Sequence, residues 1–342
     1  MKIKIIEDRL EFITIEAIRE RLEKTLGSIR ARYEDAAGGH AENLPRQDTI
    51  KIKHRAERFH RRLQRRHDMT RDHVDRLTPL ASGIPGIGVD DEHAADMKAS
   101  DIHLEFGWMG PASIKVWHAL RAAARNGDPV RIPPMIISGP PGIGKSTWAR
   151  HVAKVIGVPA VDIDASKGGV GFEINGTEKG WGTAQPGRPV EALVHHRVAN
   201  PLVIVDEVCK SSAAESRKGT RLNFNDALLS LLEPTSAQSW TCPFYRVPFD
   251  MSHISWIFTA NRLDTIPGPL LSRCLVIEIE EPMKQELVAF AVRETLRRNM
   301  HEISRDALIE AIYDAPEGLT LRSITRLIDM SIEMSTNRPL FH

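Results

Sequence analysis

The sequence predicts an α/β domain built on a parallel sheet, preceded by a mainly helical region and followed by a small all-helical domain. Three observations carry that prediction. Five apolar runs bounded by turn residues, Met135–Ser138, Ala160–Ile163, Leu202–Val205, Ile254–Thr259 and Leu275–Ile279, are separated by helix-compatible stretches, the pattern of strands joined by helical crossovers. The first run leads into Gly139-Pro-Pro-Gly-Ile-Gly-Lys-Ser146, and a helix-compatible stretch, Thr147 to Val155, follows. After Glu281-Pro282 only helical patterns remain, over about Lys284–Arg298, Ser304–Tyr313 and Thr320–Met334.

Ahead of the sheet, Ile15, Ile18, Leu22, Leu26 and Ile29 recur at steps of three and four, which predicts an amphipathic helix over about Thr14 to Tyr33. Gly38-Gly39 punctuates it. From Lys51 to Arg66 there are eight basic residues against one acid, Glu57, with Ala56, Phe59 and Leu63 as a thin apolar stripe. Such a block is either a solvated helix on the rim of an assembly or a surface for nucleic acid or an acidic partner. His54, His60, His67 and His73 lie six or seven residues apart, which does not place them as an i,i+4 metal pair, and surface positions are expected. Residues 81–100 are rich in Gly, Ala and acid without periodicity and are expected to be a linker. The boundaries that follow are 1–80 for the basic helical region, 81–100 for the linker, 101–282 for the α/β domain and 283–342 for the helical domain.

Composition excludes several classes. At 342 residues the chain exceeds a typical single domain, and its 46 basic and 45 acidic residues nearly cancel, so any electrostatic partner must be local. Cys209, Cys242 and Cys274 are too few and too scattered for a disulfide framework or a Cys-rich zinc site. The first residues do not resemble a signal peptide, and no apolar stretch approaches the roughly 18 residues of a membrane span. A cytoplasmic protein without a membrane partner is expected.

The glycine-rich run carries the chemistry. Between a strand and a helix, Gly139, Pro140, Pro141, Gly142, Ile143 and Gly144 form a loop whose N–H groups turn inward to cradle phosphate oxygens. Lys145 reaches the β/γ-phosphates, Ser146 ligates Mg²⁺ and Thr147 continues the loop into the helix, so ATP and Mg²⁺ are the expected ligands. The run Leu202–Val205 ends in Asp206-Glu207, which suits a buried strand delivering carboxylates to the edge where ligands bind in α/β sheets. Asp206 would hold Mg²⁺ and Glu207 would polarise the attacking water; a helix N-cap is the alternative for the pair. Asn261 ends another apolar run, as a group that orients water or touches the γ-phosphate or as a turn-forming amide. Arg273 stands before the last run, as a surface charge or an arginine finger for a neighbouring subunit.

This constellation resembles the AAA+ ATPases and, within them, the ATPase module of the Lon protease. The phosphate loop, Asp206-Glu207, Thr259-Ala-Asn261 and Ile266-Pro-Gly-Pro-Leu-Leu-Ser-Arg273 occur in the family's order, and the likeness covers about Asp101 to Met334. The resemblance implies that Asn261 is the sensor-1 residue, Arg273 the arginine finger and Arg322, in Gly318-Leu-Thr-Leu-Arg322, the sensor-2 arginine of the lid, with Arg326 as an alternative. It sets Phe106-Gly107-Trp108 against adenine. It also implies a homo-oligomeric ring, a hexamer, with a protein substrate gripped by an aromatic pore loop, here Gly180-Trp181-Gly182, and with Ser211 to Arg221 as a second pore loop or a surface connection. Gly182 stands where Lon-type loops carry a bulky aliphatic residue. The sequence ends at His342 without a segment resembling Lon's Ser-Lys protease domain, so ATPase rather than protease activity is expected. ATP-driven work on nucleic acid, through Lys51–Arg66, is the competing expectation.

Overall fold

The computed structural model of the chain describes residues 1–7, 15–35, 46–66, 69–167, 169–178, 184–213, 224–315 and 318–336. Its centre is a five-stranded parallel sheet of β1 (Met135–Ser138), β2 (Ala160–Asp164), β3 (Leu202–Asp206), β4 (Ser255–Ala260) and β5 (Leu275–Glu278), in the spatial order β2-β3-β4-β1-β5. All five predicted strands are present, each within one residue of its expected ends. The inner strands are apolar throughout because both faces are covered. Alternate residues split the core: Ile136, Val203, Val205, Trp256 and Phe258 join one buried cluster, and Met135, Ile137, Leu202, Ile204 and Ile257 join the other. Each such side chain contributes about 1.5–3 kcal/mol by leaving water.

Among the described residues up to Leu232, the helices of nine residues or more are α1 (Ile15–Asp35), α2 (Arg46–Arg66), α3 (Arg71–Ser82), α4 (Glu92–Glu105), α5 (Gly110–Asn126), α6 (Lys145–Ile156), α7 (Arg188–His196) and α8 (Phe224–Leu232). Three more, α9 (Lys284–Arg297), α10 (Glu302–Asp314) and α11 (Leu321–Thr336), form the C-terminal helical unit. That unit is not detached from the sheet. Leu287, Ala291, Ile312, Ile324 and Ile328 are buried in the same cluster as Met135 and Trp148.

The N-terminal region is mainly helical, as expected, and opens on a short strand. Lys2–Ile3 pairs antiparallel with Ile84–Pro85, the Asp250 amide donates to the Ile5 carbonyl at 2.6 Å, and Ile5 and Ile6 are buried against α3 and the sheet. Helix α2 packs on α1 through Ile52, Ala56 and His60, which are buried, while Lys51, Lys53, Arg55 and Arg58 face outward. His60 is therefore not the surface residue expected, since it falls on the apolar stripe of its helix. His73 packs edge-on against Phe244 and Tyr245, and His67 lies outside the described residues.

The linker expected at 81–100 is corrected. Those residues hold the Ile84–Pro85 strand and much of α4, whose N-cap Asp91 accepts from the Ala94 amide at 2.7 Å. The segment is clamped from afar by Asn200, whose side chain accepts from the Ile87 amide and donates to the Ile87 and Val130 carbonyls, each at 2.9 Å. Only Ala95 and Ile102 of α4 are buried, so the helix shows no apolar periodicity to read. Asn200→Ala would leave the Ile87 amide and the Val130 carbonyl without this partner, while the Ile87 carbonyl keeps the Val130 amide, and is expected to cost about 2–3 kcal/mol, at the scale of unpaired buried polar atoms, as a lower midpoint in urea denaturation.

Candidate functional site

The site begins where β1 ends. A Cβ at Gly139 would meet the Ile279 carbonyl oxygen at 2.5 Å, so only glycine lets the chain turn out of the sheet there. Gly144 has φ of 88° and hands the chain to α6 at Lys145 in a conformation that side chains resist. Trp108 braces the loop from below, its indole N–H donating to the Ile143 carbonyl at 2.9 Å. Of the segment Phe106-Gly107-Trp108, Phe106 lines the cleft, whereas the Trp108 indole is buried beneath the loop.

Lys145 is buried at the cleft floor, with its ammonium donating to the carbonyls of Gly139 at 2.6 Å and Pro140 at 2.8 Å and to the Asn261 side-chain oxygen at 2.9 Å. Burial pulls the ammonium down to about 8, and Asp206, Cys209 and Glu207 nearby oppose that shift. The strand ends place the acids. Asp206 Oδ1 accepts from Ser146 Oγ at 2.6 Å and from Thr259 Oγ1. The Glu207 amide in turn donates to Thr259 Oγ1 at 3.1 Å, which holds Glu207 at φ of 56°, a strained value for a residue with a side chain. Its carboxylate pairs with Lys210 at 2.6 Å, and this raises the Lys210 ammonium above its ordinary range.

Lys145, Ser146, Asp206, Glu207, Thr259 and Asn261 line one cleft of about 780 Å³ together with Gly142, Thr147, Arg322 and Arg326. Phe106, His151 and Phe290 also line it, as do Glu105 of α4 and Arg297 of α9, which grips Glu105 with two bonds of 2.6 Å. That grip holds the Glu105 carboxyl below the usual range.

Of the residues expected to act, Lys145, Ser146, Thr147, Asp206, Glu207, Asn261 and Arg322 meet at this cleft. Pro140 and Gly139 serve through their carbonyls, and Ile143 is buried. Arg273 does not line the cleft; it is exposed and lies 3.5 Å from Glu233. Trp181 and most of Ser211–Arg221 lie outside the described residues. Thr259, Lys210 and His151 were not singled out by sequence, although Lys210 follows Glu207 by three and His151 follows Thr147 by four, spacings that share a helical face. Glu105 and Arg297 are 192 positions apart and leave no local signal.

Residues 135–281 match the ATPase family associated with various cellular activities (AAA). The peroxisomal Lon protease homolog 2 of Arabidopsis thaliana is 31% identical over 252 residues, covering 72% of this chain and 27% of the relative. The Lon protease of Chloroherpeton thalassium is 27% identical over 311 residues, covering 88% and 36%. The chain carries a Lon-like AAA+ module. Its fold is also that of Hsp104, solved in a closed state with ATPγS and FITC casein, at 15% identity and a TM-score of 0.55, over 72% of this chain and 48% of Hsp104. The AAA+ module thus spans between 27% and 36% of the length of these two Lon relatives.

Polyphosphate at the loop favours the charged form of Lys145. Near and above pH 8 the free module must therefore take up a proton to bind ATP. Affinity is expected to be level below about pH 7 and to fall by up to about tenfold per pH unit above about pH 8. Calorimetry in buffers of different ionisation heat measures that uptake, and Lys145→Arg, whose guanidinium stays charged, should remove the slope.

Proposed function

We propose that the module binds ATP with Mg²⁺ in this cleft and hydrolyses it, working in a homo-oligomeric ring, a hexamer, that remodels protein substrates in the cytoplasm. The observation that carries the reading is the meeting of Lys145, Asp206, Glu207, Asn261 and Arg322 around one glycine-rich loop. Ser146 Oγ and Asp206 Oδ1, 2.6 Å apart, form the hard-oxygen pair that suits Mg²⁺. Ser146 and Asp206 would hold the ion, which would supply neutralising charge to the phosphates.

The residues divide the work by chemistry. Backbone N–H groups of Gly142 to Ser146 and the start of α6 take phosphate oxygens. Lys145 exchanges carbonyl partners for the β/γ-phosphates, and Asn261, tied to Lys145 at 2.9 Å, is set beside them. Glu207, released from Lys210, polarises the attacking water. Arg322 comes from the lid and stabilises the γ-phosphate from above. Arg273, exposed and away from its own cleft, suits action on a neighbour's nucleotide, an effect worth about 10³–10⁵ in rate where it operates. Trp181 is assigned by resemblance alone to grip the threaded chain.

One observation favours a second reading, an ATP-driven machine on nucleic acid. Lys51, Lys53, Arg55 and Arg58 stand exposed along α2, a row suited to phosphate backbones.

Steady-state hydrolysis by wild type and Glu207→Gln, alone, with an unfolded protein and with DNA, tests both. Stimulation by the unfolded protein, lost in the variant, is the expected result; stimulation by DNA alone, weakening steeply with salt, would move the reading to nucleic acid. Absence of turnover under every condition would sink the motor. Thr259→Val is expected to lower kcat by about tenfold or more while leaving ATP affinity nearly intact, because the hydroxyl positions the acids rather than touching nucleotide; equal losses in both would count against that role.

A further inference from the structure

Helix α2 carries more positive charge than its surroundings neutralise. Over Arg46–Arg66 it holds nine Lys and Arg against two acids, Asp48 and Glu57. Those acids stand 3.9 Å from Lys51 and 3.8 Å from His54, and on the neighbouring α1 Glu23 is taken by Arg19 at 3.6 Å. Lys53, Arg55 and Arg58 are exposed, with no ion-pair or hydrogen-bond partner among the described residues. A helix that is only a solvated rim laces its charges with opposite ones three or four residues away, whereas like charges at that spacing repel. At roughly 100° per residue, Lys51, Arg55 and Arg58 fall within about 60° of one another around the helix, and Phe59 follows about 40° beyond Arg55. Phe59 is 44% exposed, at the border between that face and Ile52, Ala56 and His60, which are buried.

We propose that α2 binds single-stranded nucleic acid, with Lys51, Arg55 and Arg58 on its phosphates and Phe59 stacked on one of its bases. This rests on the nucleic-acid reading of the same basic row and deepens it by naming the form bound and the residue that distinguishes it. Sites for single strands combine cations that follow the backbone with aromatic rings on which unpaired bases stack. A duplex offers the same phosphates but keeps its bases stacked inside, which leaves the ring idle. The site lies outside residues 135–281, which match the AAA family, and is independent of hydrolysis in the cleft.

The test is fluorescence anisotropy of labelled oligo(dT) and oligo(U) of about 20 nucleotides, of a DNA duplex of the same length and of poly-glutamate, at about 50 to 200 mM salt. Each is titrated with the full chain, with Phe59→Leu and with the double variant Arg55→Gln, Arg58→Gln. Wild type is expected to bind one or both single strands about tenfold tighter than the duplex. Phe59→Leu should lose about tenfold on the single strand, the scale of one stacked base, with duplex affinity and the salt dependence unchanged. The double variant should make the slope of log K against log salt shallower by about 1.4, two phosphate contacts at about 0.7 each. All three positions are exposed, so thermal melting should match wild type; if Phe59→Leu melts early, Phe59→Tyr, which keeps a flat ring, must bind as wild type does for the stacking role to stand. Equal affinity for strand and duplex, or no loss in Phe59→Leu, would overturn the assignment. Tighter binding of poly-glutamate would overturn it in favour of an acidic protein, and no binding at the lowest salt would remove the site. ATP hydrolysis without strand binding would sink this inference and leave the ATPase standing; strand binding without turnover would do the reverse.

Discussion

The register of three parallel strands is the constraint on which the site depends. Ser138 lies opposite Ala260, and Val205 opposite Phe258, so β1, β3 and β4 end at one level. Past that level the same ladder continues by one bond, the Gly139 amide donating to the Ala260 carbonyl. Gly139, Asp206 and Asn261 therefore emerge at one edge although they are far apart in sequence. A slip of one residue would exchange the faces of every side chain on the slipped strand. It would bury charge in the core and send apolar groups to the cleft, so the packing of both faces enforces the geometry of the site.

Two groups at that edge are held in states they would not adopt alone. Lys145 is buried, with carbonyl and amide oxygens as its direct partners and the Asp206 and Glu207 charges close by. Such a cation is electrostatically hungry: an arriving polyphosphate offers it what burial has removed. Glu207 sits in the left-handed region, where its backbone is kept by the Thr259 hydroxyl and its carboxylate by Lys210. Thr259 Oγ1 spends its proton on Asp206 and its lone pair on the Glu207 amide, so one buried hydroxyl sets the spacing of both acids.

The lid closes over this edge as part of the same core. Ile324 and Ile328 of α11 share a buried cluster with Trp148 of α6, and Arg297 clasps Glu105 across the cleft mouth. Its position is thus coupled both to the helix that follows the phosphate loop and to α4. Movement of the lid would act on Arg322 and on the Glu105 side of the cleft together.

What the sequence determined by itself was whatever is local: the glycine-rich loop and its lysine and serine, the apolar strands and their terminal acids, and the helices whose apolar residues recur at three and four. These are legible because backbone sterics and one-sided burial act over a few residues. Tertiary structure alone decided the rest. Helix α4 was unreadable because only Ala95 and Ile102 are buried, and its segment was made rigid by Asn200, more than a hundred residues away. The turn of Trp108 beneath the loop, the hub at Thr259 and the clasp of Glu105 likewise depend on which distant groups arrive beside them. Hydrogen bonds and burial are satisfied by neighbours in space, and neighbours in space are chosen by the packing of the whole chain.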